Sequence, residues 1–207
     1  MHRTGVAGLL VVIVAIAAAL GDRWPASSSS TASTPTTAPS RSTAASPAGV
    51  LRREPGGPLG EADGAVPDGV TVFDDAIPGV AKLDPALLDA LRQAATDAKD
   101  GGVELVVDSG WRSPQYQERL LQEAISKYGS EAEATRWVAT PDTSAHVSGD
   151  AVDLVRDAAA WLSEHGAEYG LCRIYGNESW HYELRPEAVD HGPPTYADPT
   201  QDPRMHR

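Results

Sequence analysis

One cysteine in 207 residues, Cys172, leaves no partner for an internal disulfide. It lies far from the N-terminus, whereas a lipid-anchored bacterial export segment needs a cysteine directly behind its apolar run, so that anchoring route is closed. Cys172 sits in the apolar stretch YGLCRIY and reads as a buried thiol, not a nucleophile. Basic residues are also scarce: 17 Lys and Arg face 29 Asp and Glu, for a net charge of −12. The first 50 residues hold Arg3, Arg23 and Arg41 against Asp22, so the acidic excess lies entirely downstream. With no basic patch to offset it, nucleic acid is excluded as a partner. The chain has no internal repeat, and its length suits one domain.

The N-terminal quarter is of a different kind. Residues 5 to 21, GVAGLLVVIVAIAAALG, are apolar throughout and follow His2-Arg3-Thr4. A basic start and an apolar run read as an export signal. The run is somewhat short of the roughly 20 residues of a comfortable membrane helix. It is long for a signal core of about 7–15 residues. Ala17 and Ala19 suit a signal peptidase, so cleaved and anchored forms both stand. From Pro25 to Ala48 every residue but Arg41 is Pro, Ala, Ser or Thr. Such a stretch has too little apolar surface to offset its ordering entropy and reads as a spacer. The expected organisation is a signal peptide or membrane anchor over 1–24, a disordered spacer over 25–59, a folded domain over 60–190 and a C-terminal tail over 191–207. The domain is expected outside the cytoplasmic membrane, in contact with it only through the apolar segment.

Within the domain, helical and extended patterns mix without the regular alternation of a doubly wound sheet. Asp84-Pro85 is a cap followed by proline at the first helical position, and Leu87, Leu88, Leu91, Ala94, Ala95 and Ala98 recur at helical spacing up to Gly101-Gly102. Ser113-Pro114 opens a second helix that runs to about Tyr128, and Ser130 with Glu133 opens a shorter third. A further helix is expected over Asp157–His165, and strands over Val103–Val107, Ala151–Leu154 and Trp180–Leu184. The class expected is α+β, with a small antiparallel sheet and flanking helices.

Side chains alternate between the faces of a strand. In AVDL, Ala151 and Asp153 share one face and Val152 and Leu154 the other; in WHYEL, His181 and Glu183 share a face opposite Trp180, Tyr182 and Leu184. His146 lies just ahead of the first strand, and Gly149 lets the chain turn so that it folds back toward Asp153. His146, Asp153 and His181 form a candidate His₂Asp zinc set with a fourth position open. Borderline ligands and export favour zinc over redox-active iron. Glu178 lies three residues before His181, the wrong spacing for the same face of one strand. It belongs in the turn at Gly176-Asn177, from which it reaches back as a general base and acid. Taken singly, His146 reads as a polar loop residue, Asp153 as a turn former and Glu178 as a surface charge; only the set points to a metal. His165 sits at a helix C-terminus, where an imidazolium suits the dipole, and is left out of the site with His2, His191 and His206.

Ser144-x-His146-x-x-Gly149-x-Ala151-x-Asp153, followed by Glu178-x-Trp180-His181, resembles the signature of the VanY-type zinc D-alanyl-D-alanine carboxypeptidases, a family that includes the VanX-type D,D-dipeptidases. Upstream, SGWRSPQYQ is similar to that family's Ser-Gly-Tyr-Arg-Ser segment with its later glutamine. The resemblance spans about residues 80 to 185. It implies the fold shared with the hedgehog signalling domain and lysostaphin-like endopeptidases, and a zinc peptidase domain over 60–190. It implies zinc on His146, Asp153 and His181, and Glu178 as the catalytic base and acid. Arg112 would bind substrate and help polarise the scissile carbonyl, and Ser144 and Gln117 would make lesser substrate contacts. A guanidinium suits this task, because it pairs with a terminal carboxylate as lysine cannot; a structural ion pair is the plainer reading of Arg112. The implied activity is removal of D-alanine from peptidoglycan stem peptides. A peptidoglycan endopeptidase, an L,D-carboxypeptidase and a non-catalytic zinc-stabilised binding module are the alternatives. Ala145, Trp111 and Ser179 depart from the residues usual in the family, and the short segment from Tyr175 to Glu178 implies a changed cleft wall.

Overall fold

The computed structural model describes residues 59–206 except 188, 190, 191, 193 and 194. The apolar run, all but the last residue of the spacer, His2 and His191 lie outside the described residues. In chain order the elements are α1 (Pro78–Ala81), α2 (Pro85–Asp100), β1 (Val107–Ser109), α3 (Pro114–Tyr128), α4 (Glu131–Ala134), α5 (Ala145–Ser148), β2 (Ala151–Leu154), α6 (Arg156–His165), β3 (Leu171–Arg173) and β4 (His181–Leu184).

The helix boundaries follow local chemistry. Asp84 Oδ1 accepts from the backbone N–H groups of Ala86 (2.9 Å) and Leu87 (3.2 Å) and so caps α2. Ser113 Oγ accepts from Tyr116 N–H at 3.1 Å and caps α3, which ends at Gly129 in the left-handed region. The apolar stripe of α2 (Leu87, Leu91, Ala94 and Ala98) is buried with Leu162 of α6 against Val152, Leu154 and Tyr182 of the sheet. The Tyr182 hydroxyl, buried there, donates to the Ala159 carbonyl at 2.6 Å.

The sheet is antiparallel throughout, in the order β1-β2-β4-β3. Asp153 pairs with His181, Val152 with Tyr182 and Ala151 with Glu183. One sheet face therefore feeds the core and the other carries Asp153, His181 and Glu183. The expected strand over 103–107 is displaced to 107–109. Its neighbour β2 is only four residues long, so 103–106 find no ladder beyond an isolated bridge from Val106 to Thr71. A register shift between Val107 and Ser109 then sets Ser109 opposite Asp153. Strand β3 and helix α5 were not expected, because three and four residues are too few to reveal a period. Trp180 is a correction: the strand starts at His181, so the alternation does not reach back to it, and Trp180 lines a cleft instead of packing in the core.

The C-terminal tail expected over 191–207 is described over residues 195–206 and at 192. Residues 196–206 pack against the domain. Tyr196 and Met205 join Cys172, Ile174 and Tyr175 in a small apolar cluster. The Cys172 thiol is pushed up to about 11 by burial, as suits a packing residue.

Two glycines permit close approaches that shape the site. Gly149 caps α5 at φ +87, and a Cβ there would lie 2.6 Å from the Lys82 carbonyl oxygen. Its own carbonyl accepts from Asp84 N–H at 2.9 Å, tying the loop of His146 to the start of α2. A Cβ on Gly110 would lie 2.0 Å from the Gly79 carbonyl oxygen. Gly149→Ala is expected to destabilise the domain by about 1–3 kcal/mol, since it combines left-handed strain with a backbone clash. Urea unfolding of the purified variant checks this; an unchanged midpoint would show that the loop relaxes freely.

Candidate functional site

Two strands and one short helix bring the site together. Asp153 and His181 face each other across β2 and β4, and α5 delivers His146 over the same sheet face. One potential ligand atom from each lies within 4.8 Å of the others, and all three residues are buried. His146 Nε2 is 3.4 Å from Asp153 Oδ1, and His181 Nδ1 is 3.1 Å from the same oxygen. The two imidazole rings meet edge to face at 5.1 Å.

Each histidine is oriented by the bond its other nitrogen makes. His146 Nδ1–H donates to the Gly110 carbonyl at 2.8 Å, which leaves Nε2 facing Asp153. His181 Nε2–H donates to Glu183 Oε1 at 3.2 Å, which leaves Nδ1 facing Asp153. Such partners fix the tautomer of a metal-binding imidazole. Glu178 is buried in the turn before β4, with Oε2 3.7 Å from His181 Nδ1. Its Oε1 is buried with no hydrogen-bond partner among the described residues.

The electrostatics match a site built for a cation. Burial alone would raise Asp153, but His146, His181 and Arg112 hold it well below the usual carboxylate range. Burial, with Arg112 nearby, lowers His146. Burial opposes charge on His181 as well, yet its bonds to Asp153 and Glu183 push it up to about 10. Glu178 is pushed up to about 7 by burial, against the pull of His181. Glu183 resists its burial and is held at about 2 by its bonds to His181 and Arg204. An imidazole between two carboxylates, with a third carboxylate oxygen unpartnered beside it, has an electron-pair excess that a divalent cation satisfies. The two nitrogens and one oxygen suit zinc, with a position left for water. The residues therefore fit the metal.

The three substrate-contact candidates have distinct places. Arg112 is largely buried and forms an ion pair from Nη2 to Asp153 Oδ2 at 2.6 Å. Its Nε donates to Ser109 Oγ at 2.8 Å and its Nη1 to Gln117 Oε1 at 3.2 Å. The structural ion pair and the site location thus coincide, because the pair is made with the aspartate of the candidate metal set. Gln117 is buried, and its Nε2 donates to the Ala139 carbonyl at 2.8 Å, so both ends of its amide are engaged in bracing Arg112. Ser144 lies on the cleft wall next to His146. The cleft has a volume of about 230 Å³ and opens between Trp137 and Trp180, both partly exposed. His165 packs on Trp161 at the end of α6, and His206 meets the Thr200 carbonyl at 2.9 Å; neither is part of the metal set.

Sequence reasoning missed Glu183 and Arg204. Alternation already set Glu183 on the face of His181, which was the available signal. Arg204 offered none, since 21 residues separate it from the carboxylate it binds.

Comparison with known proteins finds several similar chains. A curated D-alanyl-D-alanine carboxypeptidase of Enterococcus faecalis (strain ATCC 700802 / V583) is 32% identical over 127 residues, or 49% of this chain and 46% of the relative. The chain thus spans about half the length of the curated relative it matches. Among solved structures, a mutant of the vancomycin resistance D,D-pentapeptidase VanY from a VanB-type cassette, in complex with Zn(II), is 26% identical. The match covers 54% of this chain and 80% of that one, with a TM-score of 0.49. VanYB in complex with D-alanine-D-alanine is 29% identical over 52% of this chain and 74% of that one, at a TM-score of 0.48. The LdcB LD-carboxypeptidase is 25% identical over 59% and 68%, at 0.46. The VanY family model, described as D-alanyl-D-alanine carboxypeptidase, matches residues 80–187. That match takes in more than half of the chain and holds His146, Asp153, Glu178 and His181 together, so the chain belongs to the VanY D-alanyl-D-alanine carboxypeptidase family.

Proposed function

We propose that this chain hydrolyses the last peptide bond of peptidoglycan stem peptides and releases D-alanine, using zinc held by His146, Asp153 and His181. The observation that carries the reading is Glu178: a buried carboxylate with an unpartnered oxygen beside three converging ligand atoms. A module that only bound zinc for stability would have no use for it. Bound there, zinc would supply Lewis acidity, which brings the pKa of a water toward roughly 7 and polarises a carbonyl.

The chain's own residues account for the proton traffic. Glu178 takes a proton from the attacking water and delivers it to the leaving amine nitrogen as the C–N bond breaks; the hydroxyl stays on the carbonyl carbon. Burial, which pushes Glu178 up to about 7, matches its affinity for a proton to both halves of that task. Asp153 is held ionised beside Arg112 and keeps its charge on the metal side. Arg112 has five N–H groups, of which Ser109, Gln117 and Asp153 take three, leaving a second N–H on each terminal nitrogen. Those two donors bind the free carboxylate of the peptide, with Ser144 contributing from beside His146 and Gln117 acting through its brace on Arg112. The domain works outside the cytoplasmic membrane, where its substrate is, and membrane contact runs through the apolar segment at residues 5–21.

Amidation of the substrate tests the exopeptidase assignment. A charge-assisted hydrogen bond contributes roughly 1.5–3 kcal/mol. Purified enzyme should therefore cleave a C-terminally amidated pentapeptide about 10- to 150-fold less efficiently in kcat/KM than the free acid. Arg112→Lys loses the paired geometry and also disturbs Asp153, so its overall rate falls, but its preference for the free acid should shrink. Equal cleavage of both peptides by wild type would replace the carboxypeptidase with an endopeptidase. Release of D-alanine only from tetrapeptides would make it an L,D-carboxypeptidase.

A further inference from the structure

We propose that the C-terminal segment 196–206 is a positioning device for His181, acting through the Arg204–Glu183 pair; this rests on the reading that His181 holds zinc. The family match ends at residue 187, so this segment lies outside it. The main core of the domain is built without it as well.

The bonds run inward in an unbroken series. His181 can present Nδ1 to a metal only while Nε2–H is held elsewhere, and Glu183 Oε1 holds it at 3.2 Å. Glu183 is fully buried, so its orientation depends on its donors. Arg204 supplies them in a fork: Nη1 to Oε2 at 2.7 Å and Nη2 to Oε1 at 3.1 Å. Paired bonds of this kind fix the plane of a carboxylate, which a single ammonium does not. Arg185 adds a bond to Oε2, but to that oxygen alone among the described residues. Among the described residues only Arg204 therefore donates, besides His181 itself, to the oxygen that faces His181.

Arg204 is itself held from behind. Its Nε donates to Asp202 Oδ2 at 2.9 Å, and Asp202 Oδ2 also accepts from the Tyr175 hydroxyl at 3.0 Å. The Tyr175 ring lies 5.1 Å from the His181 ring. The segment thus reaches His181 by two routes, one polar through Glu183 and one through the packing of Tyr175. It also secures the turn that carries Glu178, because Gly176 N–H donates to Tyr196 O at 2.8 Å and Asn177 N–H to Ala197 O at 3.1 Å. Pro199 and Met205 then form part of the cleft wall.

The test is zinc affinity of the full chain, measured by competition with a chromophoric chelator, beside the thermal midpoint of each variant. Arg204→Met should raise the zinc Kd about 10- to 100-fold, the usual cost of losing an outer partner of a metal ligand. Arg204→Lys should recover part of that loss by keeping the charge without the fork. Asp198→Asn is the structural control. Asp198 anchors the segment to Arg136 at 3.1 Å and caps the turn at Thr200, away from Glu183. It should lower the thermal midpoint and leave the zinc Kd unchanged. Wild-type affinity in Arg204→Met would overturn the inference, and so would an equal loss in Asp198→Asn, which would mean general loosening. If Arg204→Met does not fold, the contrast between Arg204→Lys and Asp198→Asn decides in the same way. Failure of wild type to bind zinc at all would instead bring down the functional reading on which this one rests.

Discussion

Glu178→Gln should retain zinc and fold while losing on the order of 10²–10⁴ in kcat, the usual cost of removing a general base. The isosteric amide cannot take a proton from water, yet it occupies the same turn between Tyr175 and His181. KM should move little, because the role proposed for Glu178 is on the water and the leaving nitrogen, while the substrate carboxylate is assigned to Arg112. Metal analysis and a steady-state assay on one preparation check both halves. Full turnover would return Glu178 to the role of an ordinary buried carboxyl.

The same substitution has a second signature that needs no substrate. Burial raises Glu178 from 4.5 to about 7 in the folded, metal-free protein. A raised folded value means that the fold favours the protonated form. The resulting stabilisation is complete below the unfolded value and is lost as pH rises through about 7. Glutamine does not titrate. The variant should therefore gain on metal-free wild type between pH 5 and pH 8, by up to about 3 kcal/mol for a shift of this size. Chelator-treated protein unfolded in urea at both pH values measures the gap. A pH-independent difference would mean that Glu178 lies in a more solvated setting than the turn provides. Activity and stability thus oppose each other at this residue, as expected where a functional site holds a charge that the fold would shed.

How far the site was legible depended on the range of each interaction. Asp153 and His181 were readable because strand alternation is local and each strand is bounded by recognisable residues. That they stand directly opposite each other was not readable, since register is set by pairing across the sheet. Glu178 could be placed in a turn because its spacing from His181 contradicted a strand. The same alternation misled at Trp180, where the strand had not begun. The Arg112–Asp153 ion pair joins residues 41 apart and rests on the register shift in β1, which no periodicity announces. The C-terminal segment was the largest omission. Its hold on the domain comes from a few buried charges, backbone bonds and two apolar side chains, too few to form the apolar pattern that a reader of sequence detects.

Loss of the metal should have the broadest effect of all. Purified protein is expected to hold one zinc per chain, and His181→Ala to lose it, together with essentially all turnover. His146 and Asp153 alone would offer one nitrogen and one oxygen, too few for a closed set with an open fourth position. Stability should follow occupancy by mass action. At a free zinc concentration 1,000 times its Kd, the ion stabilises the fold by about 4.1 kcal/mol. Chelation should remove that increment from wild type and leave His181→Ala unmoved, since the variant has no site to empty. The direction is set by the crowding of Asp153, Glu178 and Glu183 around one imidazole: a cation relieves it, as Arg112, Arg185 and Arg204 do in part. The His146→Ala/His181→Ala double variant is the decisive preparation. With two of three ligands gone, full zinc occupancy there would place the ion elsewhere in the chain, and Glu178 would no longer have a metal-bound water to serve.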